Sequence, residues 1–255
     1  MKQHFSDLQN KTVIVTGGSK GIGQSIAQSF AELNANVVII GRSQDALEQT
    51  LALLQEFDGN HKAFAADVND INRVQSIIGE VVQQYGKIDV LVNNAGVNIP
   101  KPALEVTEED WDRILDTNLK SVFFISQAVG KHMIESGTKG RIINIASQMS
   151  FVGYIKRAAY CSSKGGVVQL TKALAVEWAS YGINVNAVAP TFVETEFTAA
   201  MFTDKAFKKD VESRILLGKM PKAKDITGAV LYLASDLADF VTGETIKVDG
   251  GWTAI

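Results

Sequence analysis

The sequence predicts an α/β protein, one doubly wound domain with a parallel sheet of about seven strands and helices on both faces. Three observations predict it. Short β-branched runs alternate with longer amphipathic stretches about seven times. The runs are apolar nearly throughout, as in strands buried on both faces. No proline- or glycine-rich linker, internal repeat or abrupt shift of composition divides the 255 residues, so a single domain over 1–255 is the simplest organisation.

The elements follow in order. Thr12–Thr16 (TVIVT) is a buried strand, and Gly21–Leu33 a helix with Ile22, Ile26, Phe30 and Leu33 at helical spacing. Val37–Ile40 is the second strand, and Ser43 is the N-cap of a helix to about Phe57. Lys62–Ala66 is a weaker strand, and Ile71–Tyr85 a helix that Gly86 ends. Ile88–Val92 is a strand. Thr107 opens a long helix over 107–134, with Glu108 and Glu109 in its first turn, where the helix dipole favours acids. Arg141–Ile145 is a strand, about Ala158–Tyr181 a helix, and Ile183–Val188 a strand. Helical stretches in Lys205–Leu217 and Lys224–Ala234 precede the last strand, Glu244–Val248. Pro190–Gly218 is the least regular stretch and is expected to be a mobile loop covering the substrate.

Composition narrows the function classes. Lys and Arg number 25 against 28 Asp and Glu, a net charge of −3, with 46% hydrophobic and 21% charged residues. A disordered chain, a collagen-like fibre and a disulfide-stapled miniprotein are excluded. No basic excess points to nucleic acid. The lone Cys161 forbids an intramolecular disulfide and is compatible with a reducing compartment. Met1–Asn10 is polar, without the apolar core of a secretory signal, and no apolar run approaches the ~20 residues that span a bilayer. The expectation is a cytoplasmic protein with no membrane or nucleic-acid partner. His4, His61 and His132 lie at no metal-ligand spacing, so no metal is expected.

Thr16-Gly17-Gly18-Ser19-Lys20-Gly21-Ile22-Gly23 follows the first strand and opens the first helix. In that setting glycines permit a tight turn and close approach of a pyrophosphate to the helix N-terminus. The spacing is not GxxxxGK[ST], which disfavours a nucleotide-hydrolysing loop. The second strand ends Gly41-Arg42, where an acid would hold a ribose 2′-hydroxyl and an arginine suits a 2′-phosphate. Arg42 with Lys20 favours NADP(H), with NAD(H) the alternative; Asp45 nearby complicates the choice.

These residues, with NNAG at 93–96, Asn118, Ser147 and Tyr160-Cys161-Ser162-Ser163-Lys164, resemble the short-chain dehydrogenase/reductase family. The match runs from Lys11 to Asp249-Gly250-Gly251-Trp252, and the ordered set is far more specific than any one element. The resemblance implies a Rossmann-type domain and a catalytic set: Tyr160 as acid/base, Lys164 its partner, Ser147 orienting the carbonyl, and Asn118 keeping a water beside the lysine. It implies cofactor contacts from Gly17, Ser19, Lys20, Gly21, Ile22 and Gly23, from Arg42 and Ser43, from Asp67 and Val68 at the adenine, from Asn94, Ala95 and Gly96, from Tyr160 and Lys164, and from Pro190, Val193 and Thr195 at the nicotinamide. The family usually has Pro-Gly where this chain has Pro190-Thr191, a departure that bears on the loop more than on the chemistry.

The residues themselves support this chemistry. Nicotinamide carries a hydride; the protein orients and polarises. A free tyrosine ionises near pH ~10. Tyr160 and Lys164, four apart on a helix, share a face. The ammonium, together with the positive nicotinamide of the oxidised cofactor, is expected to lower the phenol toward the range useful for acid–base catalysis. Ser147 can donate to a developing oxyanion. Taken singly, a Tyr–Lys pair is more often surface or packing and Ser147 a cap; their joint occurrence with the glycine turn overturns that.

Ser147, Gln148, Met149 and Tyr160 are expected to face substrate, with Tyr154, Ile155, Phe197, Met201, Phe202 and Phe207 nearby. Two subclasses compete. β-Ketoacyl carrier-protein reductases use a basic pair at positions that here read Thr138 and Tyr181, neither of them cationic, though Lys139 is adjacent. Sugar, polyol and gluconate dehydrogenases resemble the chain also in APTFVET and the DGGW ending, and are preferred. A non-catalytic dinucleotide-binding sensor stays open as another class. The partner is then a small alcohol or ketone, and the resemblance implies a homotetramer.

Overall fold

The computed structural model describes residues 4–195, 198 and 201–254. The strands are β1 (Thr12–Thr16), β2 (Asn36–Gly41), β3 (Lys62–Ala65), β4 (Val90–Asn93), β5 (Arg141–Ile145), β6 (Asn184–Pro190) and β7 (Thr245–Val248). The α-helices, among the described residues, are α1 (Gly21–Glu32), α2 (Gln44–Leu54), α3 (Ile71–Tyr85), α4 (Glu108–Leu115), α5 (Ser121–Ser136), α6 (Ala158–Trp178), α7 (Lys205–Arg214) and α8 (Ala223–Ala234). The strands form one parallel sheet in the order β3-β2-β1-β4-β5-β6-β7. The order reverses between β1 and β4, and such a switch point opens a crevice at the carboxyl ends of the strands.

Alternation along β1 shows why an apolar strand suits this fold. Val13 and Val15 pack on one side with Ile26 and Phe30 of α1 and Ile226 and Val230 of α8. Ile14 packs on the other with Val74 and Ile77 of α3, Ile125 and Val129 of α5 and Leu174 of α6. Successive side chains point to opposite faces, so both layers need apolar residues from the same strand. A third cluster, with Met149, Phe192, Val211, Ile215 and Trp252, joins the segment after β5 to α7 and the last turn of the chain.

Several boundaries differ from the sequence expectation. The strand expected from Ile88 begins at Val90, because the Asp89 carboxylate accepts the Thr12 N–H at 2.9 Å and ion-pairs with Lys87 and Lys11 at 2.9 and 3.4 Å. The helix expected over 107–134 runs from Glu108 to Ser136 as one rod with a change of pitch inside it. Thr107 and Asp110 cap α4 reciprocally, and a π turn, Asp116–Lys120, joins it to α5. α6 stops at Trp178 and tightens into a 3-10 turn to Tyr181 before left-handed Gly182. The helix expected to reach Leu217 ends at Arg214, where Ile215 turns extended and is buried. The covering segment after β6 contains α7, as the helical stretch expected in Lys205–Leu217 requires.

Replacing Asp89 by Ala leaves the buried Thr12 N–H without an acceptor and should lower unfolding free energy by about 2 kcal/mol, read from urea denaturation.

Candidate active site

A cleft of about 540 Å³ opens at the carboxyl ends of the strands, between the glycine turn and the first turn of α6. Of the residues expected at a cofactor, Gly17, Lys20, Gly21, Ile22, Gly23, Asn94, Ala95, Gly96, Tyr160, Lys164, Pro190, Val193 and Thr195 line it. All four expected substrate residues, Ser147, Gln148, Met149 and Tyr160, line it as well.

The turn is built for close approach. Gly17 has φ +63°, a left-handed conformation that favours glycine. A Cβ on Gly23 would stand 2.2 Å from the Gly17 carbonyl oxygen, so no side chain fits there. The Asn94 amide donates to the carbonyls of Thr16 and Gly17 at 3.0 and 3.1 Å, and the Thr16 hydroxyl accepts from the N–H groups of Asn94 and Ala95. Asn94 thus braces β4 against the turn. Lys20 supplies no side-chain cap to α1, whereas Ser43 caps α2 and Asp70 caps α3. Backbone N–H groups at the start of α1 therefore face the cleft, the donor set that suits a pyrophosphate. These features fit a dinucleotide.

The remaining expected cofactor residues lie outside the cleft wall. Arg42 and Ser43 are exposed at the end of β2, next to Ser19, whose hydroxyl would be 3.1 Å from a Cβ on Gly41. The Ser43 hydroxyl is occupied in capping α2. Asp67 is exposed and accepts the Asn69 N–H at 2.9 Å, and the Val68 side chain belongs to the core. Of the residues expected near substrate, Met201 lines the cleft, Tyr154, Phe202 and Phe207 pack in the third cluster, and Ile155 is exposed. Phe197 lies outside the described residues.

Tyr160 and Lys164 share one face of α6, with the Lys164 ammonium 6.0 Å from the phenol ring centre. Lys164 is buried and donates to the Ile145 carbonyl at 2.6 Å, at the end of β5. Desolvation is the largest effect on both groups. Burial pushes the Tyr160 phenol up, against the pull of the Ser147 hydroxyl and the Arg157 charge; Lys164 is not what offsets it. Burial also brings Lys164 down to about 8. The lysine sits in the same poorly solvated wall as the phenol, and desolvation opposes both charged forms.

Ser147 takes the capping role weighed for it and also lines the cleft. Its hydroxyl accepts the Met149 N–H at 3.2 Å, capping a 3-10 turn, and donates to the Gln148 side-chain oxygen at 2.7 Å. Asn118 does not line the cleft. It sits fully buried in the π turn, accepts the Val97 N–H at 2.8 Å and donates to the Val97 carbonyl and the Ser163 hydroxyl at 2.9 and 3.1 Å. A Cβ on Gly96 would meet the Asn118 oxygen at 3.3 Å and the Lys164 ammonium at 3.6 Å, so the three meet at one point.

Sequence reasoning missed two groups. One is the Asp210–Arg214 pair beside the third apolar cluster: the hydroxyl of Tyr154, a residue expected near substrate, donates to Asp210 at 2.6 Å, Arg214 pairs with the same carboxylate at 3.0 Å, and Arg214 lies over the rings of Tyr154 and Trp252. An i, i+4 acid–arginine pair in α7 was its only sequence signal. The other is Arg157, three residues before Tyr160 and 5% exposed, whose pattern in sequence resembles a solvated charge.

A family model described as enoyl-(acyl carrier protein) reductase matches residues 17–253. The chain is 40% identical to a 2-dehydro-3-deoxy-D-gluconate 5-dehydrogenase of Escherichia coli (strain K12) over 249 residues, covering 97% of each. It is 35% identical to an NAD-dependent glycerol dehydrogenase of Listeria innocua, over 97% of this chain and 95% of that one. A crystal structure from Agrobacterium tumefaciens, provisionally named a 2-deoxy-d-gluconate 3-dehydrogenase and holding NADP, superposes with a TM-score of 0.89 at 39% identity, covering 97% of this chain and 98% of that one.

Lys164 generates a pH-dependent stability. Between about pH 8 and pH 10 the unfolded lysine binds a proton that the folded one has lost, so stability rises with pH through that window. The stability of the wild type minus that of Lys164→Met, from urea melts, should increase from pH 8 to pH 10; a flat difference contradicts the buried-ammonium assignment.

Proposed function

The chain belongs to the short-chain dehydrogenase/reductase family, and we propose that it moves a hydride between NADP(H) and the secondary alcohol or ketone of a sugar, polyol or sugar acid. The observation that carries this is convergence: Tyr160, Ser147 and Lys164 meet in the cleft that the glycine turn opens. A nicotinamide dinucleotide bound there supplies or accepts the hydride.

The chain's own residues then do the following. Gly17 to Gly23 hold the pyrophosphate, Val193 and Thr195 the carboxamide, and Arg42 the 2′-phosphate. The Tyr160 Oη gives a proton to the substrate oxygen in reduction and takes it in oxidation. The Ser147 Oγ swings its proton from Gln148 to that oxygen, an interaction of the kind worth about 3 kcal/mol of barrier. Lys164, held on the Ile145 carbonyl, keeps a positive charge near the phenolate. Asn118 is a positioning residue: its amide fixes the 96–97 segment and, through Ser163, the first turns of α6.

The sugar-type substrate is supported by the names of the similar proteins and by the uncharged Thr138 and Tyr181, where an acidic carrier protein would need cations. The complete Tyr160–Lys164–Ser147 set weakens the sensor alternative. Arg42 and the NADP-bound relative support NADP(H), while the glycerol dehydrogenase keeps NAD(H) as the alternative. A homotetramer remains part of the proposal, with Trp111 and Val176 among the exposed apolar residues of α4 and α6. So does a cytoplasmic location; no helix among the described residues is long and apolar enough to cross a membrane.

Tyr160→Phe should keep dinucleotide affinity and lose about 10³-fold in kcat/KM, followed at 340 nm over a panel of polyols, aldonates and ketones. Near-normal turnover would remove Tyr160 from the acid/base role. Arg42→Ala should weaken NADPH about tenfold more than NADH, measured by fluorescence titration. Equal losses would refute the 2′-phosphate contact.

A further inference from the structure

Arg157 stands out among the cations near the cleft. It is buried at the N-terminus of α6, one turn before Tyr160. Its Nη1 donates to the Lys156 carbonyl at 3.1 Å, its Nη2 reaches the Met201 sulfur at 4.0 Å, and its Nε is buried with no acceptor. No carboxylate among the described residues forms an ion pair with it. Arg141, equally buried, pairs with Asp239, and Arg214 pairs with Asp210. Burying a guanidinium without a counter-charge is costly by several kcal/mol. Burial duly pulls the Arg157 guanidinium below its ordinary range.

The location says where a counter-charge would come from. Met201, which touches the guanidinium, also lines the cleft, and so does Tyr160. Methionine is unbranched and adapts readily to a ligand. The charge therefore lies one movable side chain behind the substrate wall.

We propose that Arg157 is a specificity-determining residue that pairs with a carboxylate on the substrate, so that the polyhydroxylated alcohol or ketone taken by this site is an acid rather than a neutral sugar or polyol. The proposal rests on the dehydrogenase function above and narrows its substrate class. A guanidinium fork matches the two oxygens of a carboxylate, and Nε with Nη2 is the edge that the protein leaves without an oxygen acceptor.

The test compares aldonates with the alditols of the same carbon skeleton, using the full-length protein and NADP⁺. The quantity read is the ratio of kcat/KM for aldonate over alditol. The wild type should favour at least one aldonate by about 30-fold or more, Arg157→Met should cut that ratio at least tenfold, and Arg157→Lys, which keeps the charge but not the fork, should fall between them through KM. An unchanged ratio in Arg157→Met, a wild type that prefers the alditols, or one that prefers a sugar phosphate to the aldonate would overturn the proposal while leaving the dehydrogenase function standing. If the wild type turned over none of these pairs, the dehydrogenase function would fail separately. Aldonate binding would then be read from fluorescence of bound NADPH: saturable in the wild type and weakened at least tenfold in Arg157→Met supports the carboxylate site, and no saturable binding, or equal binding in both, overturns it.

Discussion

The Lys164 ammonium on the Ile145 carbonyl joins the catalytic helix to the sheet. β5 ends at Ile145, and Ser147 follows two residues later. α6 carries Lys164 and, one turn earlier, Tyr160. The ammonium's bond, with the one the Ser150 hydroxyl donates to the Lys164 carbonyl at 2.8 Å, fixes the serine hydroxyl relative to the phenol, which come from elements with no regular backbone pairing between them. The ammonium's bond lies in the interior, where it is strong because water is absent and where the ammonium is correspondingly costly to keep. Asn118 makes another tie from the other side, through Val97 and Ser163. Together they hold the reacting groups on rigid elements while the segment after β6 is left to adapt.

The electrostatics of this wall are those of a dry site. Burial disfavours the phenolate and the ammonium alike, so neither polarises the other until further charge arrives. Arg157 is already a cation in the same neighbourhood, and Ser147 already contacts the phenol. Burial thus keeps the Tyr160 proton in place when no substrate is there to take it, while Lys164, brought down only to about 8, stays mostly charged at neutral pH.

Much of the architecture was legible in the sequence because local signals and tertiary demands agree. TVIVT is apolar on both faces, Ser43 and Thr107 each cap a helix, and Gly86 ends one. The glycine turn is legible because its spacing answers to sterics, as the 2.2 Å gap at Gly23 shows. What stayed hidden depends on contacts distant in sequence. The π turn at Asp116–Lys120 has no local pattern, since its residues would continue a helix equally well. The late start of β4 reflects a carboxylate meeting the first residue of β1, 77 positions earlier. Arg157 resembles any surface arginine until Met201 closes over it. The burial that pushes the Tyr160 phenol up was not legible either, because i, i+4 spacing reports proximity and says nothing about desolvation.

The π turn has a consequence for how the continuous rod of α4 and α5 is phased. A single extra residue in a helix displaces everything beyond it by about 100° around the axis. The wide turn absorbs that residue, so α4 and α5 keep one course while presenting independently chosen faces. Asn118 can then point inward at Val97 while Ile125 and Val129 still meet the sheet. Had the chain continued as a uniform α-helix, one of these two alignments would have been lost; the bulge lets a polar anchor and an apolar stripe share a single rod.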